Sequence, residues 1–438
     1  MLAANDTIIL GGGFTGLAAG LASGYPIFEA RDVVGGICSS YYLRPGELER
    51  LPAVPSDGEA YRFEYGGGHW IFGGDPAVLE LLEKLAPTKS YQRRSAVYFP
   101  DTGLLVPYPV QNHLSYLGEE IAAKALGEMA QAPAAIARTL SEWIEQTFGP
   151  TLARLFFGPF HELYTAGLWK TIAPQDAYKS PGGLKLAIQG AFGQAPPVGY
   201  NASFRYPVEG LNALAGRMAA RCKVISNKRV TRIDPNQRRV YFADGTEVGY
   251  RRLISTLPLN QTCALSETRL DEQPDPYTSV LVVNIGGLKG PRCPEEHWIY
   301  VPASGPRFHR VGFYSNVDSS FLPRSSQAKG DRVSIYVEKA YPGGNSPPEE
   351  DLTRLCGAIV DELKGWGFLR EAEVVDPTWI DVAYTWSWPG SGWRTKALRA
   401  LLERHIQPVG RYGRWIFQGI ADSIRDGLMV GSAVRQSE

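Results

Sequence analysis

The hydrophobic pattern at the N-terminal end predicts a strand, a helix and a second strand in succession. The apolar run "TIIL" enters a glycine turn, "FTGLAAGLAS" follows with the small residues of a closely packed helix, and "YPIFEA" predicts another strand. This βαβ order is typical of open sheets with parallel strands and helices on both faces. We therefore expect an α/β fold that begins with a Rossmann-like unit.

Further along the chain, blocks of helical spacing alternate with blocks of strands. Residues 77–86 have the period of an amphipathic helix, and "RSAVYFPDTGLLVPYPV" predicts a hairpin that turns at residues 101–103. Residues 113–188 are rich in alanine, leucine and glutamate and predict a helical insert. Residues 206–260 return to an α/β pattern, and residues 278–340 predict a set of strands.

The last part of the chain is predicted to be mainly helical. Helices are expected over residues 350–366 and 395–405, and "GRWIFQGIADSIRDGLMVGSAV" predicts a strand, a loop and a final helix. A chain of 438 residues is too long for one ordinary core, so we expect two or three domains.

The amino-acid composition indicates which broad class of protein this is. Hydrophobic residues make up 44% and charged residues 21% of the chain, which is typical of a soluble globular protein. Lysine plus arginine equals aspartate plus glutamate, 45 of each, so bulk charge favours neither a nucleic-acid partner nor an anionic membrane surface. No apolar run reaches bilayer length, and the first residues lack the features of a signal peptide.

The cysteines argue against both a disulfide framework and a metal site. The chain has 5 of them, an odd number, widely scattered and without a CxxC pair. This usage is typical of a reducing compartment, so we expect a cytoplasmic protein without a structural metal. Nothing in the sequence indicates an oligomeric state.

A dinucleotide-binding fingerprint follows the first predicted strand. Gly11, Gly13 and Gly16 form GxGxxG in "LGGGFTGL", where glycines permit a tight turn and let backbone N–H groups approach a pyrophosphate. Glu29 ends the second predicted strand, where a carboxylate accepts hydrogen bonds from an adenosine ribose. Glu29 lies 18 residues after Gly11, so the helix or its exit must be short. The alternative is a glycine turn that merely packs.

A glycine pair after this acid favours FAD over NAD. Gly35 and Gly36, in "EARDVVGGICSS", resemble a feature of the FAD-binding family that includes amine oxidases, protoporphyrinogen oxidase and UDP-galactopyranose mutases. In that family such a pair lies along the extended cofactor. The positions expected to bind FAD are Gly11, Gly13, Thr15, Gly16, Glu29, Gly35, Gly36, Gly68, His69, Val230, Arg411 and Met429.

Six segments, in order, resemble the UDP-galactopyranose mutases, especially the larger eukaryotic type. They are "YGGGHWIF", "PYPVQNHL", "YTAGLW", "FRYPVEG", "HWIYVP" with "RFHRVGFYSN", and "GRYGRWIFQG". The resemblance implies a nucleotide-sugar mutase that isomerises pyranose and furanose rings. Its reduced FAD acts as a covalent nucleophile through N5, and NAD(P)H is a candidate external reductant.

The resemblance also implies roles for individual residues. Arg205 and Arg310 are the candidate cations for the leaving diphosphate, since a guanidinium binds phosphate oxygens in a bidentate way. His69 is expected to touch the flavin edge and respond to its redox state. The alternatives are surface ion pairs for the arginines and a buried histidine bound to a carbonyl. The expected substrate contacts are Tyr108, Gln111, Thr165, Trp169, Arg205, Trp298, Arg310, Trp388 and Phe417.

Several positions depart from the mutase pattern on the sugar side. Val110 stands at the base-stacking phenylalanine, Thr165 at an asparagine of the insert, and Trp388 and Phe417 at two tyrosines. These departures imply a nucleotide sugar other than UDP-galactopyranose. Two further hypotheses stay open: an FAD-dependent oxidase or dehydrogenase of the amine oxidase and protoporphyrinogen oxidase type, and a flavin fold kept as a non-enzymatic binding module.

The predicted elements and motifs together divide the chain into three domains. We expect an α/β, Rossmann-like FAD-binding domain, a helical insert and a substrate domain built on a mixed or antiparallel sheet. In chain order, the FAD-binding domain takes residues 1–75, 200–262 and 394–438, the insert takes 113–199, and the substrate domain takes 76–112 and 263–393.

Overall fold

The computed structural model describes residues 5–131, 136–175, 183–194 and 201–436. The strands in these ranges are β1 (Asn5–Leu10), β2 (Ile27–Phe28), β3 (Ser40–Leu43), β4 (Tyr61–Glu64), β5 (Ile71–Phe72), β6 (Thr88–Gln92), β7 (Ser95–Phe99), β8 (Leu104–Pro107), β9 (Ser203–Pro207), β10 (Val224–Ile225), β11 (Val230–Asp234), β12 (Arg239–Phe242), β13 (Glu247–Ser255), β14 (Tyr277–Lys289), β15 (Trp298–Tyr300), β16 (Arg310–Phe313), β17 (Arg332–Pro342), β18 (Leu369–Thr385) and β19 (Ile406–Pro408).

The helices are distributed over the same ranges. They are α1 (Phe14–Ser23), α2 (Pro76–Leu85), α3 (Glu119–Ala130), α4 (Leu140–Leu152), α5 (Gly158–Tyr164), α6 (Leu184–Ala191), α7 (Leu211–Ala219), α8 (Leu259–Leu265), α9 (Tyr314–Val317), α10 (Glu349–Gly365), α11 (Trp393–Glu403), α12 (Gly410–Gly413) and α13 (Ile420–Gln436). None of the helices in the described part of the chain is both long enough and apolar enough to cross a bilayer.

The first sheet contains the predicted βαβ unit. Its strands follow the order β10-β2-β1-β13-β12-β11, and β19 adds to β13. The strands β10, β2, β1, β13 and β19 run parallel, whereas β12 and β11 continue as antiparallel neighbours. Helices α1 and α13 share one buried core through Leu17, Ala18, Ala421 and Ile424. The α/β fold class predicted from the sequence is confirmed, and the carboxyl ends of β1 and β2 carry the glycine turn and Glu29.

The second sheet is long and mostly antiparallel, with the order β18-β14-β17-β16-β15-β7-β8. Side chains alternate between its two faces, as the period of a strand requires. Along β17, Val333, Ile335 and Val337 pack in one core with helix α10, whereas Tyr336 lies in the core shared with α1. Glu338 follows Tyr336 at the same period and therefore faces the interior between the two sheets.

The helical insert covers the hairpin β7–β8. Helix α4 begins at a capping box in which Thr139 and Glu142 bond reciprocally to backbone N–H groups. Ile144 and Phe148 of this helix pack in one core with Val97 and Val106 of the hairpin. This packing places the aromatic residues of α5 close to the second sheet. Residues 132–135, 176–182 and 195–200, which complete the predicted insert, lie outside the described residues.

One prediction of secondary structure was wrong, and one strand was missed. The expected strand at the start of "GRWIFQG" is not formed. Instead, α12 ends at Gly413, and residues 414–419 lead as a loop into α13. Strand β18 was not predicted. Pro377 and several charged residues interrupt its hydrophobic pattern, and an edge strand tolerates such a proline because one of its sides has no partner. The domain boundaries proposed above stay a prediction.

Candidate active site

A cavity of 510 Å³ lies at the carboxyl ends of β1 and β2, between the first sheet and β18. Its walls come from the glycine turn, Glu29, the loops around Gly35 and His69, the turn after β13, and the segment that leads into α13. Ligands of open α/β sheets bind in this position, outside the carboxyl ends of the strands.

Some glycines of the glycine turn are required by the packing of the protein, whereas another leaves room for a ligand. A Cβ at Gly11 would lie 2.3 Å from Thr256 Oγ1, and one at Gly16 would lie 1.9 Å from the Gly11 carbonyl oxygen. Both glycines are therefore required by the protein's own packing. A Cβ at Gly13 would meet no protein atom within 4 Å, although Gly13 lines the cavity. Its bare backbone leaves room for a ligand at the N-terminus of α1.

Glu29 is held at the edge of the same turn. It is 7% exposed, and its Oε2 accepts a hydrogen bond of 2.6 Å from the N–H of Gly12. Its Oε1 accepts a second, of 2.9 Å, from the N–H of Arg31. Gly35 donates its N–H to the carbonyl of Gly12, which draws the following loop over the turn. An accessible helix N-terminus with a fixed carboxylate beside it fits the pyrophosphate and ribose of a dinucleotide.

The wall of this cavity also contains the cation Arg411, which is held by backbone carbonyls. Arg411 donates to the carbonyls of Gln418, at 3.3 Å, and Ala383, at 3.1 Å. Its guanidinium lies 4.5 Å from the ring centre of Phe417 and forms no ion pair within the described ranges. A bound anionic ring would therefore meet a fixed positive charge at this point.

The glycines before His69 approach strand β17. A Cβ at Gly68 would lie 2.2 Å from the Tyr336 hydroxyl, and one at Gly67 would lie 3.0 Å from Glu338 Oε1. His69 Nδ1 lies 3.1 Å from the carbonyl oxygen of Gly67, which only accepts hydrogen bonds, so this nitrogen carries the proton. Burial lowers the pKa of His69 to about 4. The side chain is therefore neutral at pH 7 and offers Nε2 as an acceptor in the cavity wall.

A second cavity, of 430 Å³, adjoins the first and is mainly aromatic. Its aromatic lining consists of Trp70, Phe72, Tyr108, Trp143, Phe156, Phe157, Phe160, Tyr164, Trp298, Tyr300, Tyr336, Tyr384, Trp386 and Phe417. Some residues line both cavities and form the wall between them: Gly68, Trp70, Phe72, Arg310, Tyr384, Phe417, Gln418 and Gly419. A ligand in the second cavity would therefore reach a cofactor in the first.

Arg310 is fixed in the shared wall by a buried carboxylate. Its Nη2 donates to Glu338, which is 2% exposed, and lies 3.3 Å from the Tyr384 hydroxyl. His309 approaches the same carboxylate from the other side, with Nε2 3.6 Å from Oε2. Burial alone would raise the pKa of Glu338, but Arg310 and His309 outweigh it and hold that pKa well below its ordinary value. Burial also lowers the pKa of His309, so the charged pair is Arg310 and Glu338.

A second arginine enters the aromatic cavity from the segment between β6 and β7. Arg93 donates through Nε to Ser95 Oγ at 3.0 Å. Its guanidinium carbon lies 5.6 Å from the ring centre of Tyr108 and 5.7 Å from that of Trp298, within cation–π range. The cavity thus combines two arginines with many aromatic faces, which suits a ligand that has an anionic group and a planar group.

The sequence matches a family of flavoproteins over most of its length. A family model described as flavin containing amine oxidoreductase matches residues 25–280, more than half of the 438 residues. The chain belongs to this family. The glycine turn, Glu29 and Arg411 of the first cavity fit the flavin that this family contains, and we therefore call it the flavin cavity.

Solved structures with the same fold catalyse different reactions. A reduced UDP-galactopyranose mutase superposes with a TM-score of 0.83 and 21% identity, covering 99% of this chain and 96% of that one. A protein of Exiguobacterium sp. 255-15 provisionally assigned as a protoporphyrinogen oxidase gives 0.70 and 16%, covering 100% of both. A fatty acid isomerase of P. acnes that produces CLA gives 0.59 and 15%, covering 98% of both. The mutase-like resemblance is confirmed for the fold, and these identities leave the reaction open.

The flavoprotein fold brings together part of the predicted site. Tyr108, Trp298, Arg310 and Phe417 line the aromatic cavity. The flavin cavity is lined by a larger group of the predicted positions: Gly11, Gly13, Thr15, Glu29, Gly35, Gly36, Gly68, His69 and Arg411. Gly16 lies behind this lining, where it packs against the glycine turn.

Arg205, predicted to bind the diphosphate, does not reach either cavity. Its neighbours Phe204 and Tyr206 are buried on one face of β9, so strand alternation directs Arg205 to the other face. There it lies 3.9 Å from Glu83 of α2, and both side chains are more than 40% exposed. Arg205 therefore forms a surface ion pair, which was the alternative interpretation of this residue. Arg93, by contrast, lines the aromatic cavity.

Other predicted substrate residues have local partners outside the cavity lining. Thr165 Oγ1 donates to the carbonyl of His161 at 2.7 Å and accepts from the N–H of Trp169 at 2.9 Å, so it caps the end of α5. Trp169 Nε1 donates to Glu162 at 2.9 Å. Trp388 Nε1 donates to the carbonyl of Pro274 at 3.0 Å.

Three more predicted contacts lie away from the cavities to which they were assigned. Gln111 is fully buried in the short turn after Tyr108 and does not line the aromatic cavity. Val230 lies on β11 and Met429, 64% exposed, lies on the outer side of α13, and neither lines the flavin cavity. The wall of the flavin cavity comes instead from the first turn of α13, through Ile420 and Ser423.

The sequence analysis missed residues of both cavities: Trp386 and Arg93 in the aromatic cavity, and Glu338 in the flavin cavity. Trp386 lines the aromatic cavity in place of Trp388, two positions away on the same face of the extended chain. Arg93 belongs to the pair "RR" before the predicted hairpin, and this pair was a usable signal for a buried cation. Glu338 lies in "VSIYVEKAY", where period-2 spacing puts it on the face of Tyr336. A charged residue on an otherwise buried face was the signal that pointed to it.

Proposed function

We propose that this flavoprotein is a nucleotide-sugar mutase that isomerises the pyranose and furanose rings of a nucleoside-diphosphate sugar. The observation that supports it is the position of Arg93 and Arg310 in an aromatic cavity that shares a wall with the flavin cavity. A diphosphate needs fixed cations, and a nucleobase needs an aromatic face. Phe417, which lines this cavity at a position where the mutase pattern has a tyrosine, favours a substrate other than UDP-galactopyranose.

The residues of the cavity supply binding, orientation and charge stabilisation. Arg93 and Arg310 neutralise negative charge on the leaving diphosphate, and Glu338 holds Arg310 in place for that task. The rings of Tyr108 and Trp298 offer stacking surfaces next to Arg93. FAD, when bound and reduced, supplies a nucleophilic ring nitrogen. Neutral His69 accepts a hydrogen bond through Nε2 at the wall of the flavin cavity, which gives it a role that does not depend on protonation near pH 7.

An assay with reduced protein tests this proposal. Purified flavoprotein is reduced with dithionite or NAD(P)H and incubated with nucleoside-diphosphate sugars that differ in base and hexose, and the products are separated by chromatography. We expect furanose product with at least one sugar, and its loss in Arg93→Ala and Arg310→Ala. Arg205→Ala is the matched control, because Arg205 is a surface arginine that should not affect turnover. Activity that is lost in Arg205→Ala but kept in Arg93→Ala would overturn the assignment.

An oxidase is the second candidate, and the composition of the cavity favours it. Aromatic side chains dominate the lining, and a cavity of this kind also accepts a planar or apolar substrate without a diphosphate. An oxidase turns over in air without added reductant and releases hydrogen peroxide. Peroxide release with amines or planar hydrocarbon substrates, together with no furanose product from any nucleotide sugar, would select this candidate.

A further inference from the structure

A third cavity, of 230 Å³, lies apart from the flavin and aromatic cavities, and its lining includes two cations and one carboxylate. Arg307 and Lys339 face it, together with Glu162 and Leu163 of α5 and Tyr341 of β17. None of these residues lines either of the larger cavities. The mechanism proposed above makes no use of them.

The two cations interact with each other, and the carboxylate in the same lining is engaged by Trp169. Lys339 Nζ donates to the carbonyl of Pro306 at 2.6 Å and lies 5.3 Å from the ring centre of Tyr341. Neither Arg307 nor Lys339 forms an ion pair within the part of the chain that the structure describes. The carboxylate of Glu162 accepts a hydrogen bond from Trp169 Nε1. Burial and the neighbouring Arg307 lower the pKa of Lys339 to about 8.

Two like charges beside one cavity repel each other, and this repulsion costs free energy that a bound anion would recover. The backbone at Arg307 has a positive φ of 64°, a conformation that residues other than glycine adopt at a cost. Arg307 and Lys339 outnumber Glu162, the carboxylate in the same lining, so the cavity keeps a net positive charge. A phosphate group matches it, since a guanidinium and an ammonium together supply several charged donors.

We propose that Arg307 and Lys339 form a binding site for the phosphate group of a small molecule, separate from the substrate cavity. The guanidinium of Arg307 binds the phosphate, and Lys339 contributes either its charge or, to a ligand with a carbonyl group, a nucleophilic amine. The site stands independently of the proposed mutase activity, because it shares no lining residue with that cavity.

Pyridoxal 5′-phosphate is a probe that reports on both features. The neutral amine of lysine attacks the aldehyde carbon, the carbonyl oxygen leaves as water, and borohydride reduces the resulting imine to a stable secondary amine. At pH 7.5 a lysine with the pKa of Lys339 has on the order of 100-fold more neutral amine than one with the ordinary value. Pyridoxal, which lacks the phosphate, separates amine reactivity from phosphate binding.

The experiment labels the FAD-bound protein with each aldehyde and maps the modified lysines by peptide mass spectrometry. We expect Lys339 to react faster than the exposed Lys84, and several-fold faster with the phosphorylated aldehyde than with pyridoxal. Inorganic phosphate should slow labelling of Lys339, and in Arg307→Gln the two aldehydes should react at similar rates. Equal rates with both aldehydes in the unmodified protein, or no protection by inorganic phosphate, would overturn the proposal.

Discussion

Removing the carboxylate of Glu338 should destabilise the protein much more than removing a surface carboxylate. Glu338 is 2% exposed and bonds to Arg310, whose side chain is 22% exposed. In Glu338→Ala, the guanidinium of Arg310 keeps its charge without a partner. Losing one member of a buried pair in this way costs about 3–5 kcal/mol of unfolding free energy. Arg310→Ala should cost a similar amount, because it leaves the carboxylate uncompensated beside a neutral His309.

The double variant shows how much of this cost belongs to the pair. If each single variant is destabilised mainly by the unpaired charge that remains, the double variant Glu338→Ala with Arg310→Ala should lose less unfolding free energy than the two single variants added together. We expect a coupling free energy of about 2–3 kcal/mol, at the upper end of values for residues in contact. The coupling should weaken as the pH falls below the ordinary glutamate value, since the lowered pKa of Glu338 makes its contribution greatest above that pH.

Urea unfolding of cofactor-free protein measures these free energies without a contribution from flavin affinity. The exposed pair Glu80 and Lys84, spaced i and i+4 on α2, is the matched control and should show a coupling of about 0.5 kcal/mol or less. Additivity of the Glu338 and Arg310 variants within about 0.5 kcal/mol would refute the view that this pair is coupled.

Three further predictions concern the flavin cavity. Gly13→Ala should leave the circular dichroism spectrum and thermal midpoint of cofactor-free protein nearly unchanged, because the added Cβ meets no protein atom within 4 Å, while the purified protein loses its flavin absorbance; retained flavin would contradict the ligand role of Gly13. His69 is neutral in the fold but protonates when unfolded below its ordinary pKa, so cofactor-free protein should lose about 1 kcal/mol from pH 7 to 5.5 through this residue. His69→Gln should flatten the urea-measured pH profile by that amount, and an unchanged slope would refute the lowered pKa. Gly68→Ala should cost about 1–3 kcal/mol of unfolding free energy through its clash with Tyr336, and part of the loss should return with Tyr336→Leu; equal costs in both backgrounds would show that this contact is not the cause.

The cofactor half of the site could be predicted from sequence because its signals are local. The glycine turn, α1 and Glu29 lie within one βαβ unit, where each residue is placed by its distance along the chain from the others. The glycines before His69 were predicted to make room for the flavin. The structure shows a second reason for a glycine at position 68, because a Cβ there would clash with Tyr336.

The substrate half could not be predicted reliably because its residues come from distant segments whose orientation depends on register. Arg205 and Arg93 lie on two neighbouring stretches of chain, and a shift of one residue decides which arginine faces the cavity. Trp386 and Trp388 both stand in "TWSWPG" after the end of β18, and the alternation of a strand does not distinguish residues two positions apart, although only Trp386 lines the wall. Motif matching alone predicts which residues belong to a site, but it does not show whether their side chains point into the cavity.

Tyr336 links positions that are far apart in the sequence. A Cβ at Gly68 would lie 2.2 Å from its hydroxyl, and one at Gly312 would lie 1.9 Å from its ring. The three positions should therefore be inherited as a set, so that relatives with tyrosine at position 336 keep glycine at the other two. In lineages that replace this tyrosine by a smaller residue, position 312 becomes free to vary, whereas position 68 still borders the flavin cavity. Substitutions at these three positions should therefore be correlated in a family alignment, because all three depend on the space that the ring of Tyr336 occupies.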